Sequence, residues 1–134
     1  MAETFGFELV SPEKLLLSVQ AEMVTVPGEA GDMGILPGHA PVISTLRLGV
    51  IEVSKATGGE ERIFVAGGFA EMSNNKLTVL AEEAVPVAQI DRAKTEAKLK
   101  DAREDLADAK TDLARAKAQA AADKFQAMLD CAAW

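Results

Sequence analysis

The chain has 134 residues, 14 Lys or Arg against 21 Asp or Glu and a formal charge of −7, which makes it one domain or one domain with a small appendage. At 49% hydrophobic and 26% charged it can bury a core without disulfides or metals, which excludes extended disorder. The acid excess opposes phosphate backbones, and with one Trp, five Phe and no Tyr for stacking, nucleic acid is excluded as a partner. A single cysteine, Cys131, and a single histidine, His39, permit neither an internal disulfide nor a Cys/His zinc cluster, and fit a reducing cytoplasm. Met1-Ala2-Glu3-Thr4 shows no basic region ahead of an apolar run, so no secretory signal is expected. The longest uncharged stretch, Met33 to Leu46, is broken by Gly34, Pro37, Gly38 and Pro41 and is too short to span a bilayer, so no transmembrane segment is expected.

The first 88 residues hold all ten glycines, all five prolines and 20 of the 23 β-branched residues. Phe5, Phe7 and Leu9 alternate with Gly6 and Glu8, which predicts a strand ended by Ser11-Pro12-Glu13. A second run places Leu15, Leu17, Val19, Ala21 and Met23 on one side. Val24 and Val26 then continue in the opposite phase, which predicts a bulge. Further strands are expected at residues 42–46, 48–54, 61–66, 69–72 and 77–81. Gly58-Gly59 and Asn74-Asn75 lie between runs, where hairpin turns demand positive φ. Short strands at this spacing predict an antiparallel sandwich or barrel.

Residues 89–134 contain no Gly, no Pro and 14 alanines, with nine basic and nine acidic side chains, so the whole net charge belongs to the β part. Leu99, Leu106 and Leu113 recur seven apart, each followed three residues later by Ala102, Ala109 and Ala116. One helix of forty residues would be roughly 60 Å long, so a fold-back is expected between Glu104 and Asp112, with Asp108, Thr111 or Asp112 capping the second helix. The seam fits either a hairpin packed on itself or a coiled coil between chains. Glu96 with Lys100 and Asp112 with Arg115 are the expected helix-face ion pairs. The expected architecture is therefore α+β, an N-terminal antiparallel β-sandwich over 1–88 followed by a C-terminal α-helical hairpin over 89–134.

Reaction chemistry is sparse. Neither GxxxxGK[ST] nor GxGxxG nor GxSxG occurs, and a nucleophilic triad would have to recruit His39 from Pro37-Gly38-His39-Ala40-Pro41, a segment of turn chemistry. Glu60-Glu61 and Glu82-Glu83 read as solvated turn charges. The ending Cys131-Ala132-Ala133-Trp134 matches C-a-a-X in form, but Trp is an unusual last residue and no polybasic stretch precedes it. Four glycines and three prolines between Pro27 and Pro41 fix an irregular path, and a shaped loop on a rigid sheet suits partner contact. A free-standing sandwich that binds a small ligand and dimerises through its tail remains the alternative on these grounds.

Gly34-Ile35-Leu36-Pro37-Gly38-His39-Ala40-Pro41, followed by the run from Val65-Ala66-Gly67-Gly68-Phe69-Ala70 to Leu80-Ala81-Glu82, closely resembles the epsilon subunit of bacterial F-type ATP synthases. The resemblance implies a ten-stranded β-sandwich and a helix-turn-helix in the central stalk, on the cytoplasmic face of the bacterial inner membrane. It implies no catalysis and no cofactor. Such a subunit clamps the gamma subunit to the c-ring so that proton-driven rotation becomes torque, and its helices restrain ATP hydrolysis in many members through contacts with the alpha and beta subunits. By motif position, Asp32 and His39 would face the polar loops of the c-ring, and Gly67, Gly68 and Phe69 would belong to the core pattern. Arg115, Lys117 and Lys124 would be the cations that meet the catalytic subunits. Members that bind ATP as a regulatory ligand resemble [IL]-D-x-x-R-A. Here Ile90-Asp91 runs straight into Arg92-Ala93, which sets Asp91 and Arg92 about 100° apart on a helix and leaves Lys94 at i+3. Asp91, Arg92 and Lys94 would be the candidate nucleotide contacts.

Overall fold

The computed structural model describes residues 3–132. Its contacts divide the chain into two units, with the division between Pro86 and Val87.

The first unit carries nine strands: β1 (Phe5–Val10), β2 (Leu15–Gly28), β3 (Gly31–Ile35), β4 (Val42–Thr45), β5 (Gly49–Lys55), β6 (Glu60–Val65), β7 (Gly68–Ser73), β8 (Lys76–Ala81) and β9 (Ala84–Pro86). They follow the order β4-β7-β8-β1-β2-β5-β6-β9, with β3 paired only to β2. The 14-residue β2 makes two layers from one path. Its first half pairs with β1, and its second half pairs with β5 and β3. The register against β5 slips between Ala21 and Met23, so Ala21 and Val24 both point inward although three positions separate them. That slip is the bulge expected from the sequence, and it lets one strand turn from layer to layer. Counting β2 once gives nine strands rather than the ten implied by resemblance. Leu15 and Met23, expected to share a side with buried Ala21, stand exposed, Leu15 at the start of the strand and Met23 just past the slip.

Inward residues of both layers, among them Phe5, Phe7, Leu9, Ile51, Val53, Leu77 and Val79, form one core. All strand pairs are antiparallel except β1 with β8. Asn74 and Asn75 take φ of 52° and 57° in the two-residue turn between β7 and β8. Gly58 and Gly59 also have positive φ but sit in a four-residue connection, 56–59. Two strands went unforeseen: β3, hidden by its Gly-rich sequence, and β9, which has only three residues.

The second unit opens with a 3₁₀ turn, Val87–Gln89, followed by α1 (Arg92–Asp108) and α2 (Asp112–Ala132). The fold-back occupies 109–111. Of the three candidate caps it is Thr111 that serves, its Oγ1 accepting from the Ala114 N–H at 3.0 Å. Leu99, Ala102 and Ala122 are buried together against Phe125 and Leu129, so the two helices pack on each other. The leucine seam does not survive the bend. Leu113 is 66% exposed and Ala116 is exposed too, because the break at 109–111 resets the helical phase and α2 buries Ala118, Ala122, Met128 and Cys131 instead. Glu96 is met by Arg92 at 3.9 Å, from the turn before it and not the turn after, while Arg115 and Asp112 pair at 3.1 Å as expected. No helix among the described residues is long and apolar enough to cross a membrane. The signal-peptide reading on Met1-Ala2 and the Ala133-Trp134 end of the C-a-a-X reading lie outside the described residues. Cys131 itself is buried, its thiol donating to the Met128 carbonyl at 3.2 Å.

Candidate functional site

Residues 27–41 are not one loop. They form a hairpin arm and a separate turn, each held by a side chain from elsewhere. In the arm, β3 returns along β2 with Pro27 opposite Asp32 and Gly28 opposite Gly31, leaving Glu29 and Ala30 as the tip. Arg47 grips both strands of it: Nη2 lies 2.6 Å from Asp32 Oδ1, and Nη1 donates to the Gly28 carbonyl at 2.9 Å. Backbone bonds add Arg47 N to the Pro27 carbonyl at 3.0 Å and Glu29 N to the Thr45 carbonyl at 2.8 Å. Asp32 is therefore a strand residue engaged by an arginine.

The turn Leu36–His39 closes on itself through His39 N to the Leu36 carbonyl at 3.1 Å. Asn75 fastens it from the β7–β8 turn: its Oδ1 accepts from Gly38 N at 2.9 Å while its Nδ2 donates to the Thr4 carbonyl at 3.1 Å. The His39 ring is exposed, with Nδ1 2.7 Å from the Ala40 carbonyl. By strand register, the Asp32 clasp lies toward the Thr45–Phe69 end of the β4–β7 pair. The His39 turn lies beyond its Val42–Met72 end. Asp32 and His39, both expected to face the c-ring, are thus held at opposite ends of this pair.

The outward face of the β4-β7-β8-β1-β2 layer carries the other distinctive feature. Register sets Thr45 beside Phe69, Phe69 beside Leu80, Leu80 beside Val10 and Val10 beside Leu15, one row across five strands. At ~4.8 Å per strand the row spans about 19 Å. Phe69 is 47% exposed, Leu80 41% and Leu15 54%. A shallow groove of about 500 Å³ runs beside it, lined by Val10, Pro12, Leu46, Gly67, Phe69 and Leu80. The adjacent outward row, Ile43, Glu71, Thr78, Glu8 and Ser18, is mostly polar, so the apolar row has a polar rim. Within the Gly67-Gly68-Phe69 stretch, Phe69 points outward. Its phase with Glu71 and against Ala70 and Met72 was the signal available in the sequence. Nothing local marked Arg47 or Asn75, because their partners lie 15 to 71 positions away.

In the helical unit Asp91 caps α1, its Oδ1 accepting from Lys94 N at 3.0 Å, and Arg92 turns to Glu96. The structure therefore directs Asp91 and Arg92 to separate local partners. Lys117 and Lys124, seven apart, share a side of α2, whereas Arg115 lies about 200° from Lys117, so the three cations form no single patch. Lys124 and Lys98 flank the Phe125 ring at 4.8 and 5.9 Å from its centroid. Among the described residues no three His, Cys, Asp or Glu come together to hold a metal.

A rigid two-layer sheet with an apolar row on its outside and latched arms at its ends is a docking body. The family described as ATP synthase, Delta/Epsilon chain, beta-sandwich domain, matches residues 4–87. The ATP synthase epsilon chain of Parvibaculum lavamentivorans is 53% identical over 107 residues, 80% of this chain and 81% of its own. That of Mesorhizobium japonicum is 52% identical over 80% of this chain and 79% of its own. Among solved structures, a chain of the Euglena gracilis mitochondrial ATP synthase, OSCP/F1/c-ring, is similar over 100% of this chain and 83% of its own, with TM-score 0.83 and 25% identity. A chain of the Tetrahymena thermophila mitochondrial ATP synthase central stalk and c-ring, 13% identical at TM-score 0.67 over 97% of both chains, shares the fold. The protein belongs to the ATP synthase delta/epsilon chain family.

Proposed function

We propose that the protein is a non-catalytic rotor subunit of an F1Fo ATP synthase, joining a gamma subunit to the c-ring on the cytoplasmic face of a bacterial inner membrane. The observation that carries the mode of engagement is the exposed Thr45–Phe69–Leu80–Val10–Leu15 row, which gamma covers in this reading. A monomer gains nothing by leaving Phe69 and Leu80 in water, whereas a shaft subunit would desolvate them. The surrounding sandwich suits the task because paired strands and a close-packed interior deform little under load. The arm bearing Asp32 would approach the c-ring, with His39 beyond the other end of the β4–β7 pair.

The division near residue 88 would separate this coupling body from a regulatory tail. Large side chains are few in the helical core, Leu99, Phe125 and Leu129 beside alanines, so contacts with alpha and beta subunits would compete readily with internal packing. Lys117 and Lys124 would meet those subunits on one side of α2 and Arg115 on another.

Co-purification from reconstituted F1 tests the reading. Wild-type protein should elute in stoichiometric association with gamma, and Phe69→Glu should abolish it while leaving the circular dichroism unchanged; association that survives F69E removes the row from the interface. Removal of residues 89–134 should raise ATP hydrolysis by the assembled enzyme severalfold, and an unchanged rate would end the regulatory role.

A further inference from the structure

The β3 strand has one neighbour, β2, whose other edge near the Glu29–Ala30 tip is met only by the short segment after β4, through the Gly28–Leu46 bridge and the backbone bonds from Arg47 N to Pro27 and from Glu29 N to Thr45. That brace reaches β2 alone, so the β3 side of the hairpin, which pairs with nothing else, needs a tie of its own if the tip is to transmit force. Arg47, following β4, supplies it. Its planar fork reaches the carbonyl of Gly28 on one strand and the carboxylate of Asp32 on the other, which an ammonium at the same place would not do in one geometry. The turn beneath is tight: a Cβ on Gly28 would stand 2.6 Å from the Gly31 carbonyl oxygen, so no side chain fits there.

We propose that Arg47 is a positioning residue that holds the Glu29–Ala30 tip in place by clasping Gly28 and Asp32. The inference rests on the reading that the tip approaches the c-ring. Glu29, in the turn itself, is exposed, and Asp32 keeps an exposed carboxylate while its Oδ1 is held by the guanidinium.

The test uses Ala30→Cys in a Cys131→Ala background of the assembled ATP synthase, with crosslinking to the ring as readout. The crosslink should form with Arg47 present, fall about fivefold in Arg47→Met and recover in part in Arg47→Lys. Yields that are equal with and without Arg47 would overturn the positioning role, while a crosslink absent even with Arg47 would overturn the placing of the tip at the ring. Proton pumping per ATP hydrolysed, measured at matched subunit content, provides the second arm. Asp32→Ala and Arg47→Met should each lower it, and the double variant should do no worse than either single one. Additive losses, or loss in Asp32→Ala alone, would show that Asp32 acts outside the clasp and would overturn the positioning role of Arg47. Hydrogen exchange of the Glu29 and Arg47 amides in the isolated protein reads the clasp itself, and exchange unaltered by Arg47→Met would dismiss it.

Discussion

At the residue scale, three positions carry more than their neighbourhood in the chain suggests. Gly68 has φ of +117°, and a Cβ there would lie 2.0 Å from the Leu80 carbonyl oxygen. Both the backbone conformation and the space forbid a side chain, so Gly68→Ala should cost at least ~3 kcal/mol in urea denaturation. Asn75 combines a left-handed backbone with two side-chain bonds that tie the His39 turn and Thr4 to the β7–β8 turn. Asn75→Gly keeps the conformation and loses the ties. It should destabilise by ~1 to 2 kcal/mol and speed exchange at the Gly38 amide, whereas equal exchange would show that the turn holds itself. Phe69 teaches a different lesson: an aromatic inside a glycine-rich apolar run was legible as outward only through its phase with Glu71.

At the scale of elements, alternation and composition carried most of the sheet. β1, β4, β5, β6, β7 and β8 lie within one or two residues of where the apolar pattern put them, and the bulge in β2 showed as a change of phase between Ala21 and Val24. β3 was illegible for a physical reason. Gly31-Asp32-Met33-Gly34-Ile35 has neither the β-branched density nor the alternation of a strand, and it is held as one by pairing with β2 and by Arg47. The same holds for the arms: sequence reasoning found the segment but could not see that a hairpin and a turn share it, since both latches come from distant residues. The seam in the helices was legible up to Leu106 and misleading after it, because a repeat of seven carries no sign of where a chain turns back. Thr111 marks that turn. Thr111→Ala should cost ~1 kcal/mol and lower the helical signal of α2 in thermal melts followed by circular dichroism; unchanged melting would mean that the cap contributes nothing beyond the packing.

At the scale of the molecule, the two units differ in what holds them. The sandwich buries Phe5 and Phe7 to within 1% of full occlusion, while the helical core of Leu99, Ala102 and Ala122 retains 5 to 7% exposure and consists mainly of methyl groups. Opening free energies follow such differences. Amides of Leu99 and Ala122 should exchange faster than those of Phe7 and Val79 by two or more orders of magnitude, and matched rates would contradict a readily released tail.

The placing of β1 between β2 and β8 has a temporal side. Gly6 pairs with Lys76, a partner 70 positions downstream, and the intervening residues supply every other strand of that layer. A ribosome delivers the first strand long before its parallel neighbour exists, so one edge of Phe5–Val10 must wait unsatisfied through most of synthesis. Closure of the layer is then the late event in folding, and the bond from Asn75 to Thr4 is the knot tied when it happens.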